Sequence, residues 1–452
     1  MPETASNKST PTSISTEDWK EDLYELLTAE DEARLCRDIP DSQCSEQPDS
    51  FLRQVLSQAL SKTGDVLADA KIVLPWLLGV VGAPGYLVGM LVPIRESLSL
   101  LPQMLVGGWI RHFEVRKGFW AVASLVEGLC VLLMGALAWS GVLDGAVAGW
   151  AMLALLAIFS LSRGVASIAA KDTLGKTVSK GRRGRVSGYA ATASGLVGGA
   201  VGLLLLLQPS VKQSDSWLGG MILGAGLCWV LAALVYWGIR EHPGATDGGR
   251  GLGDLVKSQM QLLLRERPLQ WFLLARGLMI STALVGPVYV GMAQSSTGES
   301  LATLGGLMVA SGLAGTLSSS FWGVWSDASS RLTMAAGALI AAVLGVLVWL
   351  AQTAWPQATE HMAFYAVVMF ILGVAHAGVR IGRKTQLVDM AGKDNRTDYV
   401  AVSNTLIGVA LLVIGAGVSV VIGFSAMAGI LLLSAMAAAG AFIAWRLPDA
   451  QA

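Results

Sequence analysis

From about residue 71 to residue 445 the chain repeats one pattern, a run of about twenty apolar residues followed by a short polar turn. A helix of that length covers about 30 Å of hydrocarbon, and in lipid only a helix or a closed barrel satisfies its own backbone. The pattern argues against a water-soluble globule and predicts an all-α membrane protein in a lipid bilayer. Composition agrees, since 53% of the 452 residues are hydrophobic and 14% charged. The 53 glycines suit helices that approach one another closely.

Twelve transmembrane helices are expected, near 72–92, 94–112, 118–140, 145–168, 186–207, 216–239, 268–292, 301–324, 331–352, 362–382, 399–422 and 425–445. The longest gap, 240–267, carries Pro243, Arg240, Arg250, Lys257, Arg265 and Arg267, and as a linker it separates six-helix bundles at 71–239 and 268–446. Residues 1–70 stand apart. Their first sixteen positions are rich in Ser, Thr, Asn and Pro and read as disordered. A helical pattern over 17–37 runs through Trp19, Leu23, Leu26 and Leu27, Pro40 stops it, and a second amphipathic segment starts near Ser50. The extension reads as a cytoplasmic tail packed on the membrane domain, with 17–70 as a candidate docking module for a cytosolic partner.

Lys and Arg in short loops resist translocation. One set of loops holds Arg111, Arg116, Lys117, Lys171, Lys176, Lys180, Arg182, Arg183, Arg185, Arg331, Arg383, Lys384, Lys393 and Arg396, whereas the other holds little beyond Arg95 and Lys212. Both termini are therefore expected on the cytoplasmic side of the plasma (inner) membrane, and the chain opens without a cleaved-signal layout. Zero net charge and no basic block argue against a nucleic-acid partner. Cys36, Cys44, Cys130 and Cys228 lack metal or redox spacing, the four histidines are scattered, and no phosphate loop, HExxH or nucleophile elbow occurs. No enzyme activity, cofactor or metal site is expected.

The turn Gly323-Val-Trp-Ser-Asp327-Ala-Ser-Ser-Arg331 has an echo in Gly107-Gly108-Trp109-Ile-Arg111-His112, which leads into Arg116 and Lys117. Gly164-Val165 and Gly378-Val379 form a second pair, and basic loops ending at Tyr189 and Tyr399 a third, all about 210–216 residues apart. With these features the chain resembles the major facilitator superfamily of secondary transporters over roughly 70–446, its signature loop G-x-x-x-D-x-x-x-R matched at Gly323, Asp327 and Arg331. The resemblance implies two pseudo-symmetric bundles that move a small-molecule substrate by alternating access, with a cytoplasmic gate built from those residues and Gly108, Arg111, Arg116, Arg182, Arg183, Arg185 and Asp398. The first-half loop departs from the family by placing Arg111 or His112 at the acidic position. A charge-reversed gate is then expected, Arg111 with Asp398 and Asp327 with Arg182, Arg183 or Arg185; the plainer alternative makes Arg111 a headgroup contact and Asp398 a helix cap stabilised by about 0.3–1 kcal/mol. The fifth span has glycines at 195, 198, 199 and 202 but no Gly-Pro step, which weakens a drug-export reading.

A charge inside a span costs about 2.5–3.5 kcal/mol on insertion scales, so each is a functional candidate. Glu127, mid-way along the third span, is a candidate for proton coupling or a paired packing group. Arg276 in the seventh span is placed to meet an anionic substrate or a carboxylate, or to snorkel. His376 and Arg380 lie one turn apart in the tenth span. Arg95 and Glu96 are expected at the outer turn between spans one and two, as an entry site or a headgroup-level pair. Pro and Gly loosen spans one and seven, where interrupted helices could frame a site. The alternative to transport is a transporter-shaped receptor or scaffold without transport activity.

Overall fold

A computed structural model describes residues 20, 23–24, 46–110, 112–179, 182–207, 215–244, 246, 252–298, 300–391 and 396–448. The first half comprises α1 (Gln47–Leu67), α2 (Val73–Val80), α3 (Gly85–Leu100), α4 (Pro102–Ile110), α5 (Lys117–Ser140), α6 (Gly145–Thr177), α7 (Arg183–Leu206) and α8 (Asp215–Trp237). A connecting helix α9 (Leu252–Arg265) leads to α10 (Arg267–Leu278), α11 (Ser281–Thr297), α12 (Leu301–Ala328), α13 (Ser330–Ala354), α14 (Met362–Met390), α15 (Arg396–Phe424) and α16 (Ala426–Trp445). Ten helices among the described residues, counting α10 and α11 as one span, are long and apolar enough to cross a membrane. Their outward faces carry apolar stripes at helical spacing, such as Val122, Leu125, Leu129 and Leu133 of α5 and Leu339, Val343 and Leu347 of α13, all exposed.

Two further columns, α1–α2 and α3–α4, differ from the expected first two spans. α1 packs against α7 and α8, so the helix lies within the first bundle, and the extension ahead of that bundle shortens from 1–70 to the residues before about 47. Its polarity hid it: Gln47, Ser50, Gln54, Ser57, Ser61 and Thr63 are buried, with Gln47 donating to Ser179 Oγ at 3.1 Å and Gln54 to Thr177 Oγ1 at 3.4 Å. Gly64 lets α1 lie against the Trp229 ring, which a Cβ would meet at 2.7 Å. Of the helix expected over 17–37, only residues 20, 23 and 24 are among those described.

The turn after the first column is at Gly82, whose φ of 71° is left-handed, where Val81 accepts a 2.7 Å bond from Gly145 N at the head of α6. Pro93 lies inside α3. The expected spans 72–92 and 94–112 therefore become columns at 47–80 and 85–110, and Arg95 and Glu96 move from an outer edge to mid-column.

The halves pack by a common scheme. α5 pairs with α8 as α13 pairs with α16, and α7 of the first half crosses α12 as α15 of the second crosses α3. The fifth column of each half thus meets the second column of the other, the reciprocity of a twofold relation. Six columns separate the α4–α5 turn from the α12–α13 turn, so both repeat turns share one face. That face also carries the α6–α7 turn and α9 and is termed the basic face. On the far face, no described residue of the connections at 81–84, 141–144 and 355–361 is Lys or Arg.

Candidate functional site

Two interrupted columns meet at the centre. The first breaks between α1 and α2, where Asp69 Oδ1 accepts from the backbone N–H groups of Lys71 at 2.8 Å and Ile72 at 3.0 Å, satisfying donors that a helix start leaves open. The second breaks at Met279 and Ile280, between α10 and α11. Between the halves lies a cavity of about 390 Å³, lined by Asp65, Asp69 and Lys71 from one side and by Thr282, His376 and Arg380 from the other.

The cavity is sealed toward the far face and splayed toward the basic face. At the far ends of α7 and α12, a Cβ on Gly305 would fall 2.5 Å from both Gly202 O and Leu206 N, so the backbones touch. Nearby, Gln294 of α11 donates to Trp76 O of α2 at 3.1 Å. Toward the basic face the same pair separates: Gly195 and Gly199 of α7 and Gly312 and Gly315 of α12 have open space where a side chain would lie. The α3–α15 seam holds deeper, with Ser97 Oγ donating to Gly408 O at 2.6 Å.

A directed chain of hydrogen bonds links the halves. Lys71 Nζ lies 3.2 Å from His376 Nε2, His376 Nδ1 lies 3.1 Å from Thr282 Oγ1, and Thr282 Oγ1 donates to Met279 O at 3.0 Å. An ammonium only donates. Nε2 is therefore the acceptor, Nδ1 carries the proton, and the imidazole is neutral in this arrangement.

Beside the cavity the first half holds an ion network. Arg163 of α6 donates to Asp65, to Glu127 Oε2 at 3.2 Å and to Ser61 Oγ at 2.8 Å. Arg95 donates to Asp65 Oδ1 at 2.9 Å and stacks 4.7 Å above the Phe159 ring. Glu127 is fully buried, and its Oε1 lacks a hydrogen-bond partner among the described residues. Charges at this depth persist only when paired, and here two carboxylates alternate with two guanidinium groups.

The second half contributes Arg276, which donates to Ser403 and to Asn404 Oδ1 at 3.3 Å. The expected meeting of Arg276 with Glu127 does not occur, because Glu127 belongs to the network around Arg163. Arg380 and Arg383 lie on one stretch of α14, and Glu96 stands within electrostatic reach of both, and of Lys71 and Arg95.

The gate positions are farther toward the basic face. Arg116 N donates to Glu241 Oε2 at 2.8 Å, while its Nη1 donates to Asp172 Oδ1 at 2.5 Å. Arg182 donates to the Tyr24 hydroxyl and lies over that ring; burial, then the nearby Arg185, holds its guanidinium below the ordinary arginine value. Arg183 donates to Val178 O at 2.9 Å and Gly175 O at 2.7 Å, and Arg331 to Trp445 O at 3.1 Å. Exposed Asp327 forms no ion pair with a described residue, so the expected bridge to Arg182, Arg183 or Arg185 is absent in this arrangement. Arg182 and Arg183 are held instead by the Tyr24 hydroxyl and by backbone carbonyls at the end of α6. Gly108 lies in α4, Gly323 in α12 and Asp398 in the first turn of α15; Arg111 lies outside the described residues.

Sequence reading passed over Asp65, Lys71 and Arg163. Arg163 fell inside an expected span and was detectable as a charge in an apolar run. Asp65 falls in the extension expected over 1–70, and Lys71 opens the bundle expected over 71–239.

A family model described as Major Facilitator Superfamily matches residues 70–415. Among solved structures, the chain is similar to a mutant of the nucleoside transporter NupG (11% identity, TM-score 0.66, covering 88% of this chain and 99% of that one). It is also similar to a D-xylose-proton symporter (14%, 0.61, 90% and 98%) and to a POT family transporter in complex with a thioalcohol-conjugated peptide (11%, 0.64, 87% and 94%). No curated protein matches. At these identities the structural likenesses establish the fold.

Proposed function

The chain belongs to the major facilitator superfamily, and from this premise we propose that it moves a small solute across a membrane by alternating access, rocking its halves about the central cavity. The observation that carries this reading is the asymmetry of that cavity, closed where Gly202 meets Gly305 and open where α7 and α12 diverge. On this reading the columns α1–α2 and α3–α4 bring the crossings to twelve, and the concentration of Lys and Arg on one face supports a cytoplasmic location for that face and both termini. The arrangement is then inward-facing. The unpaired Asp327 fits this reading, as the gate closes only in the opposite state. A cavity lined with charged groups from both halves favours transport over a scaffold role.

Coupling to protons is the finer reading. Glu127 shares Arg163 with Asp65, so protonating either carboxylate frees the guanidinium for the other. A D-xylose-proton symporter shares the fold. Counterflow of a solute in proteoliposomes tests transport. Uptake driven by a pH gradient in the wild type and lost in Glu127→Gln, with counterflow retained, tests coupling; pH-driven uptake unchanged in that variant refutes the role of Glu127.

A further inference from the structure

Charge around the cavity is unevenly distributed. Asp65 and Glu127 are matched by Arg95 and Arg163 through direct contacts. What remains is four cations, Lys71 and Arg380 in the cavity wall, Arg383 one turn beyond Arg380 on α14 and Arg276 within electrostatic reach of Arg383, against two carboxylates, Asp69 and Glu96. Asp69 is already occupied by two backbone N–H groups. Glu96 faces Lys71, Arg95, Arg380 and Arg383 together.

Arg380 and Arg383 make no hydrogen bond or ion pair with a described residue. They are three residues apart on one helix, a spacing at which like charges repel, and Arg276 adds a further cation near Arg383. Snorkelling does not account for Arg380, which is about 15 Å from the basic-face end of α14 at 1.5 Å per residue and lines the cavity itself. Lys71 spends one of its three donors on His376. Unspent donors and excess positive charge in a solvent-reaching cavity fit an anion, and guanidinium groups grip carboxylate or phosphate bidentately.

The rest of the cavity has a different character. Met308, Met369 and Leu372 form apolar wall, and bare glycine backbone at 195, 199, 312 and 315 leaves a slot between α7 and α12. The volume of about 390 Å³ lies within the usual range for small-molecule sites.

We infer that the cavity takes a small organic dianion, its charged groups held by Lys71 and Arg380 with Arg383 adding positive charge one turn along α14, and its apolar body lying in the slot between α7 and α12. The inference rests on the reading of this cavity as the transport site and names its substrate class.

Equilibrium binding to the purified full-length protein in nanodiscs tests it, with 2-naphthyl phosphate as probe and inorganic phosphate, benzoate, glucose and choline for comparison. The expected order is naphthyl phosphate tightest, inorganic phosphate and benzoate weaker, glucose and choline unbound. Arg380→Gln and Arg383→Gln each weaken naphthyl phosphate about tenfold or more, while Arg380→Lys retains part of the affinity. Gly199→Leu and Gly312→Leu weaken naphthyl phosphate and leave inorganic phosphate unchanged. The idea is overturned if the folded protein binds neither anion, if glucose or choline binds as well as the dianion, or if binding is indifferent to the arginine and glycine substitutions. Counterflow of a neutral solute without dianion binding would sink this inference and keep the transport reading; dianion binding without exchange would do the reverse.

Discussion

Lys71 and His376 are 3.2 Å apart across the two halves of the chain, one at the break in the first column and the other one turn from Arg380 and two from Arg383 on α14. The contact ties the bundles at mid-depth. It also fixes the imidazole tautomer through Thr282.

Removing this tie should loosen the two halves together rather than either alone. In a double-mutant cycle of Lys71→Met and His376→Phe, thermal unfolding in detergent should show a coupling of about 0.5–3 kcal/mol. Additive losses would show that the two residues act independently.

Arg163 should be costlier to lose than either of its carboxylates. Arg163→Leu leaves fully buried Glu127 without its counter-ion and should destabilise by about 3 kcal/mol or more. Arg163→Leu with Glu127→Leu should recover part of that loss. The readout is the melting temperature of the detergent-solubilised protein, and an unaltered value in Arg163→Leu would contradict the network.

Gly305→Val places side-chain atoms where Gly202 O and Leu206 N now lie. Overpacking of this kind costs about 1–3 kcal/mol, and here it falls on one state of the cycle. Spin-label distances between far-face ends of α7 and α12 should lengthen in this variant, and counterflow should fall. Unchanged distances would mean that the seam accommodates the extra volume.

The bundle should also require α1. A chain starting at residue 71 lacks the helix that fills the groove between α7 and α8 and should fail to give a monodisperse peak on size exclusion, whereas deletion of residues 1–19 should leave the fold intact. A well-behaved, ligand-binding protein from residue 71 would show that α1 is dispensable.

The apolar spans from 118 onward were legible because each presents hydrocarbon-facing side chains in a continuous run, and the paired turns at Arg111 and Asp327 betrayed the duplication. α1 was not, because its buried face is polar and its partners, such as Thr177 and Ser179, lie over a hundred residues away. Hydropathy reads a buried amide and a solvated one alike. The same error displaced Arg95 and Glu96 to a membrane edge, since shifting the first turn from Pro93 to Gly82 moves both by about three helical turns. Glu127 was placed at mid-span from sequence, but its sharing of Arg163 with Asp65 depended on three separate columns converging.

The glycine seam sets the mechanical advantage of the molecule. Gly202 lies near one tip of α7, and the nineteen residues back to Arg183 form a lever about 28 Å long. With the fulcrum at that tip, a tilt of ten degrees sweeps the other end through about 5 Å. A barely perceptible roll of two backbones at one surface becomes a doorway at the other.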